Sequence, residues 1–276
     1  MATPKEHIEE IRRKKFSIGG EVNPLTEELH LTVKMLSAEL DAKDVHFLME
    51  LIQNAEDNEY PSGVNPSLEF VITSRDITGT RAAATLLMFN NEKGFSASNI
   101  NSICSVAKST KKGNRNRGYI GEKGIGFKSV FLITSRPYIL SNGYHIRFNE
   151  DPYPHCNLGY VVPEWVEENP IFSEIQQIYG SGSTLPTTTL ILPLKADKVN
   201  AVKQQLSSVQ PEVLLFLTKI KRLSVREHNE NPKLNSVSAI AITSETKFVK
   251  RKKIDAESSM LHLAAQGDKF DNECSY

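Results

Sequence analysis

The sequence predicts a mixed fold of helices and strands, α/β in the α+β sense, from three observations. Residues 45–58 carry apolar side chains at helical spacing opposite a polar stripe. Leu68 to Thr73 and Thr85 to Phe89 read as strands separated by a polar, glycine-containing loop, and Thr187 to Leu194 is a further run rich in β-branched residues. A chain of 276 residues is long enough for a full core, as one large domain or one domain plus an appendage.

The elements follow in order. Residues 4–16 form a short charged helix with Ile8, Ile11 and Phe16 as a thin apolar stripe, ended by Gly19-Gly20 and Pro24. Residues 25–40 form a second helix, with Leu29, Val33, Leu36 and Leu40 at helical spacing. Asp41 to Asp44 supply cap chemistry for the third, which Pro61-Ser62-Gly63 and Pro66 stop. The strands 68–73 and 85–89 are expected to pair as a hairpin, the second being nearly all-apolar and therefore central. Asn90 to Phe95 turns out of that strand, and Ser96 caps a helix running to about Val106.

Lys108 to Gly118 holds five cations, two glycines and no aliphatic residue, so it cannot bury itself and is expected to be mobile. Farther on, Pro137 to Ser141 and Tyr144 to Phe148 flank Asn142-Gly143, a hairpin signal. Residues 163–179 contain Trp165 and a helix with Ile171, Ile175 and Ile178, followed by a flexible break at Gly180 to Ser183. A helix near 197–207 and the segment Glu212 to Ile220 close the main domain. Strands are expected at Arg222 to Arg226, Ser236 to Ile242 and Lys247 to Arg251, with a polar, frayed tail from Asp268 to Cys274. The division is an N-terminal helical extension (1–24), a main domain (25–210), and a C-terminal helix plus β-rich extension (211–276) that starts a longer architecture.

Composition excludes several classes. Thirty-three basic residues balance thirty-three acidic ones, so no global field favours nucleic acid or membrane. Cys104, Cys156 and Cys274 form no CxxC pair and support neither a disulfide framework nor a zinc site. His155-Cys156 has no partners at ligand spacing and reads as coincidence. There is no apolar signal-peptide region, no run near the roughly 18 residues of a membrane span, and the Asn65-Pro66-Ser67 match carries the forbidden proline. An intracellular, reducing compartment, nucleus or cytoplasm, is the expectation.

Two stretches carry chemistry. On the helix from Phe47 to Asn58, Glu50, Asn54 and Asp57 fall within one narrow stripe, with Val45, Leu48, Ile52 and Ala55 opposite. An amide oxygen is a hard ligand for Mg²⁺, and a neighbouring carboxylate can orient or deprotonate water. A merely solvated polar face is the alternative. The second stretch, Gly121-Glu122-Lys123-Gly124-Ile125-Gly126-Phe127, places three glycines before a helical apolar run, where backbone and helix N-terminus can approach an anion. A P-loop is absent, because Phe127 separates Lys128-Ser129 from the last glycine, and the preceding basic loop does not fit a dinucleotide fingerprint. For that loop a nucleic-acid patch, a nuclear address and a phosphate grip are all open; the glycine turn favours the last, a polyphosphate site.

These segments, in this order, resemble the ATP-binding boxes of the GHKL superfamily, which includes DNA gyrase, a heat-shock chaperone, sensor histidine kinases and MutL. Glu50 to Asp57 resembles the first box, Asn90 to Phe95 lies at the second, Ile120 to Phe131 looks like the third, and Thr187 to Leu192 is similar to the final threonine-bearing strand. In detail Asp44 to Asn58, Phe89 to Phe95 and Ser102 to Phe131 look closest to plant NO VEIN-like proteins, with sacsin more distant. The resemblance implies a two-layer sandwich: a mixed, mostly antiparallel sheet packed on helices, with a mobile ATP lid. It implies Glu50 as the base that orients water and Asn54 as the Mg²⁺ ligand. Asp57 would lie near ribose and base, and Lys108, Ser109 and Thr110 at the lid entry. Backbone from Gly121 through Glu122, Lys123, Gly124, Ile125 and Gly126 to Phe127 would cradle phosphates, with Thr188 in the water network around adenine.

The second box departs from the pattern. Asn90, with Asn91 beside it, stands where an aspartate would accept the adenine amine, and Glu92 replaces the first glycine, leaving Gly94 as the second. The resemblance thus implies Mg-dependent ATP binding with slow hydrolysis, a conformational switch or chaperone-like module that associates with a protein partner or itself as the lid closes. The alternative is a non-catalytic nucleotide-binding or interaction module with a degenerate adenine pocket. A sensor kinase lacks its phosphoacceptor context at His30 and His46, and zero net charge argues against nucleic-acid binding.

Overall fold

The structure is a computed structural model that describes residues 2–41, 46–105, 126–154, 156–168, 170–180, 182–229, 231, 233, 235–244, 261–267 and 270–275. Its first elements are helices α1 (Pro4–Phe16), α2 (Leu25–Asp41) and α3 (His46–Glu56), strands β1 (Ser67–Thr73) and β2 (Thr85–Asn90), and helix α4 (Ala97–Ile103). A 3₁₀ helix at Gly126–Leu132 precedes β3 (Tyr138–Ser141), β4 (Tyr144–Arg147) and β5 (Glu164–Trp165). Then come α5 (Phe172–Tyr179), β6 (Thr188–Pro193), α6 (Val199–Ser207) and a 3₁₀ helix at Pro211–Phe216. The chain closes with β7 (Arg222–His228), β8 (Ser236–Ser244), β9 (Leu261–Gly267) and β10 (Phe270–Ser275).

The fold is the expected α+β class, built on one ten-stranded mixed sheet ordered β10-β9-β8-β7-β1-β2-β6-β3-β4-β5. Every pairing is antiparallel except β1 with β7, which is parallel. The β1–β2 hairpin forms as expected, Leu68 opposite Asn90 and Thr73 opposite Thr85. At the β3–β4 turn Asn142 and Gly143 both take positive φ, 48° and 79°, the backbone that a tight two-residue connection demands.

Alternation along the strands splits the core in two. Phe70, Ile72, Leu86, Met88, Ile139, Leu190 and Leu192 face the larger cluster, shared with α1, α2, α3, α4 and α6. Val71, Leu87, Phe89, Tyr138, Leu140 and Ile191 face the opposite way, where Ile77 and the α5 residues Ile175 and Ile178 cover them. The sheet therefore carries five helices on one face and the single short helix α5 on the other. This is why β2, β3 and β6 are buried along their whole length.

Several elements differ from expectation for identifiable reasons. The helix expected at Ile171, Ile175 and Ile178 forms as α5 and starts only at Phe172. Pro170 disfavours helical backbone before it, and Trp165 instead pairs with Ile146 on the sheet edge. The apolar run after the glycine turn is a seven-residue 3₁₀ helix packed against α2 and α3. Tight winding suits a segment buried on nearly all sides from Lys128 to Phe131. The C-terminal stretch is not frayed: β10 pairs with β9 from Phe270–Gly267 to Ser275–His262. The strand expected at Lys247 to Arg251 lies outside the described residues.

α1 begins with a capping box between Thr3 and Glu6 and buries Ile8, Ile11 and Phe16, as its stripe predicts. Arg12 fixes it to the β5 side by donating to the Pro163 carbonyl at 2.7 Å and to the Tyr153 hydroxyl at 2.9 Å. Among the described residues no helix is long and apolar enough to cross a membrane.

Candidate functional site

α3 buries Phe47, Leu48, Leu51, Ile52 and Ala55 on the core side, a wider apolar face than the sequence spacing alone indicated. Glu50 and Asn54 lie on the other side, half-buried, and among the described residues neither has a hydrogen-bond or ion-pair partner. Asp57 sits one residue past the helix, where its N–H still closes a helical bond to the Gln53 carbonyl at 3.0 Å; it is buried. Glu50, Asn54 and Asp57 thus share the stripe the sequence predicts, with Asp57 the most enclosed.

The sheet that α3 packs on supplies a polar wall of its own. Asn90 lies opposite Thr188 in the β2–β6 register, and Thr188 opposite Ser141 in the β6–β3 register. The three form one row across the ends of three adjacent strands. By strand alternation all three point to the same face as Met88, Ile139 and Leu190, the face that α3 covers. All three are buried. Sequence reasoning missed Ser141, whose signal is its register position rather than any motif.

Tyr60, also missed, joins wall to helix. Its hydroxyl donates to the Ala55 carbonyl of α3 at 2.8 Å and accepts from Asn90 Nδ2 at 3.0 Å. Burial raises the Tyr60 pKa, which keeps that hydroxyl a donor at neutral pH. Asn90 Oδ1 accepts from the Glu92 N–H at 3.0 Å, so the Asn90 amide is engaged at both ends.

Glu92 is only 3% exposed, and its carboxylate accepts from Thr188 Oγ1 at 2.6 Å. Thr188 Oγ1 and Ser141 Oγ are 2.6 Å apart, and Ser141 accepts from the Phe95 N–H at 2.8 Å. Thr188 has one hydroxyl proton, committed to Glu92, so Ser141 must donate to Thr188. The chain of donors therefore runs Phe95, Ser141, Thr188, Glu92 and ends on a carboxylate, the group in the row best able to hold it.

Asn91 faces away. Its Oδ1 accepts from the Ser67 N–H at 2.8 Å and its Nδ2 donates to the Asn65 carbonyl at 2.9 Å, pinning the start of β1 beside the end of β2. Gly94 has φ of +93°, and a Cβ there would come within 2.7 Å of Asn142 Cβ and 2.8 Å of Thr187 Cγ2. Only glycine fits.

Gly126 opens the 3₁₀ helix, and Phe127 packs half-buried with its ring 5.9 Å from that of Phe148. Next to them Lys128 is buried; its ammonium donates to the Ile103 carbonyl at the end of α4, and burial pulls its pKa down to about 8. Lys108, Ser109, Thr110, Gly121, Glu122, Lys123, Gly124 and Ile125 lie outside the described residues. Among the described residues no cluster of three or more His, Cys, Asp or Glu could hold a metal ion by itself.

Residues 26–159 match the Sacsin domain family. That stretch runs from the first turn of α2 past β4, and so contains Glu50, Asn54, Asp57, Asn90 and Glu92 but not Thr188. The chain is also 36% identical over 236 residues to Protein NO VEIN of Arabidopsis thaliana, an alignment covering 79% of this chain and 8% of that protein. The chain thus corresponds to a small part of that relative's length. The NO VEIN similarity and the Sacsin-domain match agree with the resemblance of the motif segments to NO VEIN-like proteins and, more distantly, to sacsin.

Proposed function

We propose that this chain is an Mg·ATP-binding module of low turnover, which acts as a nucleotide-driven conformational switch for a protein partner or a second copy. One observation carries the reading. The half-buried Glu50 and Asn54 on α3, and the polar row Asn90–Thr188–Ser141 at the sheet end, belong to the two facing layers, and Tyr60 bridges those layers. The buried row is a polar seam in an otherwise apolar core, and Glu50 and Asn54 stand on the helix that Tyr60 ties to it. Such a seam is costly to bury unless it is used or fully satisfied.

The donor set fits Mg²⁺ delivered with its nucleotide. Mg²⁺ keeps several waters and commonly takes one or two protein oxygens besides phosphate. Asn54 offers one such oxygen, and the lack of a three-carboxylate cluster among the described residues suits a metal that arrives with the phosphates. The bound ion would neutralise phosphate charge. Glu50, about one helical turn away on the same face, would orient the attacking water and receive its proton. At the base end, Glu92 carries the negative charge that Asn90 lacks, and Thr188 is already hydrogen-bonded to it.

The Asn90 amide favours a second reading, because both its ends are engaged within the protein. In that reading the row is a structural lock and the chain is an interaction module without turnover. Calorimetric titration with ATP, with and without Mg²⁺, separates the two. Mg-dependent heats establish the switch; no heat up to millimolar ATP leaves the interaction module.

A further inference from the structure

Glu56 is the last residue of α3 and is 2% exposed. A carboxylate there meets the negative end of the helix dipole and loses its water, two penalties at once. Four donors offset them. Oε1 accepts from the Thr218 N–H at 2.7 Å, the Thr218 hydroxyl at 2.7 Å and the Lys219 N–H at 2.8 Å, and Oε2 accepts from the Ile220 N–H at 3.0 Å. Three successive backbone N–H groups converge on one anion, the arrangement of an anion-binding nest, here filled by the protein's own side chain.

The nest lies at a junction. Lys219 Nζ also donates to the Asn58 carbonyl at 3.0 Å, and the Lys221 N–H donates to the Pro66 carbonyl at 3.1 Å. One residue later β7 begins, pairing in parallel with β1 from Ser67–Arg222 onward, and β8, β9 and β10 are built outward from it. One route from α3 to the C-terminal strands therefore passes through this carboxylate. Asn54 is two residues away on the same helix, and a helix turns as a unit, so any rotation that re-aims Asn54 and Glu50 drags Glu56 against amides 218–220.

We propose that Glu56 is a positioning residue that couples the face of α3 bearing Glu50 and Asn54 to the C-terminal strands. Nucleotide binding then tightens the 218–220 nest, and the nest in turn sets nucleotide affinity. The proposal rests on the Mg·ATP reading above. A plain structural anchor would hold 218–220 equally in both ligand states; a coupling residue does not.

The test is hydrogen exchange at amides 218–220 of the 276-residue chain, with and without Mg²⁺ and a non-hydrolysable ATP analogue, beside calorimetry on the same samples. In wild type the analogue should slow exchange there by at least about fivefold, the lower end of typical site–site coupling. Glu56→Gln keeps the side-chain length but turns one acceptor into a donor facing another donor. It should fold, lose the exchange response, and bind the analogue at least about fivefold more weakly, as reciprocity requires. If Glu56→Gln does not fold, Thr218→Val, which removes one of the four donors, should blunt both effects. The proposal is overturned if the analogue binds without altering exchange at 218–220, or if the folded variant keeps the full response and affinity. Absence of any binding by calorimetry overturns the nucleotide reading itself, and the coupling with it.

Discussion

Thr188 donates to the buried carboxylate of Glu92 at 2.6 Å, across 96 positions of sequence. In the proposed reading, this contact gives the departure from the expected motif a place in the site. Glutamate at position 92 stands where a glycine was expected, yet its charge lies beside the threonine expected to serve the base. The donor chain from Phe95 through Ser141 to Thr188 points at this carboxylate.

Thr188→Val should destabilise the fold by about 2 kcal/mol, because a hydrogen bond to a buried charge is lost and the carboxylate keeps its desolvation cost. Ser141→Ala, one step farther from the charge, should cost about 1 kcal/mol. Urea denaturation of the two variants checks the order. Equal losses would mean that the chain does not end on a charge.

Gly94→Ala should be more damaging than its size suggests. The positive φ costs roughly 1–2 kcal/mol for an L-residue, and the added methyl would lie within 2.8 Å of both Asn142 and Thr187 side chains. We expect a lowered melting temperature and a disturbed turn between Asn90 and Phe95. A variant as stable as wild type would show that this turn adapts freely.

His30 makes stability fall in mild acid. Its Nδ1 accepts from the Gly159 N–H at 3.1 Å, which requires the neutral ring. Burial is the main cause of its lowered pKa, with Lys34 adding to it and Asp151 opposing. A base whose folded pKa lies below its unfolded value contributes stability that is fully present above the unfolded pKa. That stability is lost as pH drops below about 6.5, since the unfolded chain takes up the proton first. His145 and His228 are shifted the same way by burial, so they add to the slope. Melting temperatures between pH 7.5 and 5 should fall for wild type and fall less for His30→Gln; parallel curves would remove His30 from the account.

The strand pairs and the polar stripe of α3 were legible because both depend on short-range periodicity, and Asn142-Gly143 because a two-residue turn is a local problem. Ser141 and Tyr60 were not legible, since their roles come from a strand register and a bridge that no local pattern encodes. Glu56 was hidden for a related reason. In sequence it is one more carboxylate beside Asp57, and its four partners come from 162 to 164 residues downstream. α5 was legible from its isoleucine spacing, and Pro170 marks why it does not extend back to Trp165. The paired β10 was misread because Asp271, Asn272 and Glu273 look like a solvated tail until β9 supplies the ladder.

Asn54 and Glu50 give the sharpest functional contrast because one helix presents both. Asn54→Ala removes a neutral amide whose oxygen would help hold Mg²⁺, so Mg-dependent ATP binding should vanish while the fold remains. Glu50→Ala should leave binding within about threefold, since a residue that acts on water contributes to the transition state more than to ground-state affinity. Any turnover should then fall by roughly 10²–10⁴. Both side chains are half-buried with no partners among the described residues, so neither change should disturb packing. Calorimetry and single-turnover phosphate release separate the two roles. Equal ATP affinity in wild type and Asn54→Ala would remove α3 from the nucleotide site. Loss of binding in Glu50→Ala would make that carboxylate part of the ligand cradle rather than the base.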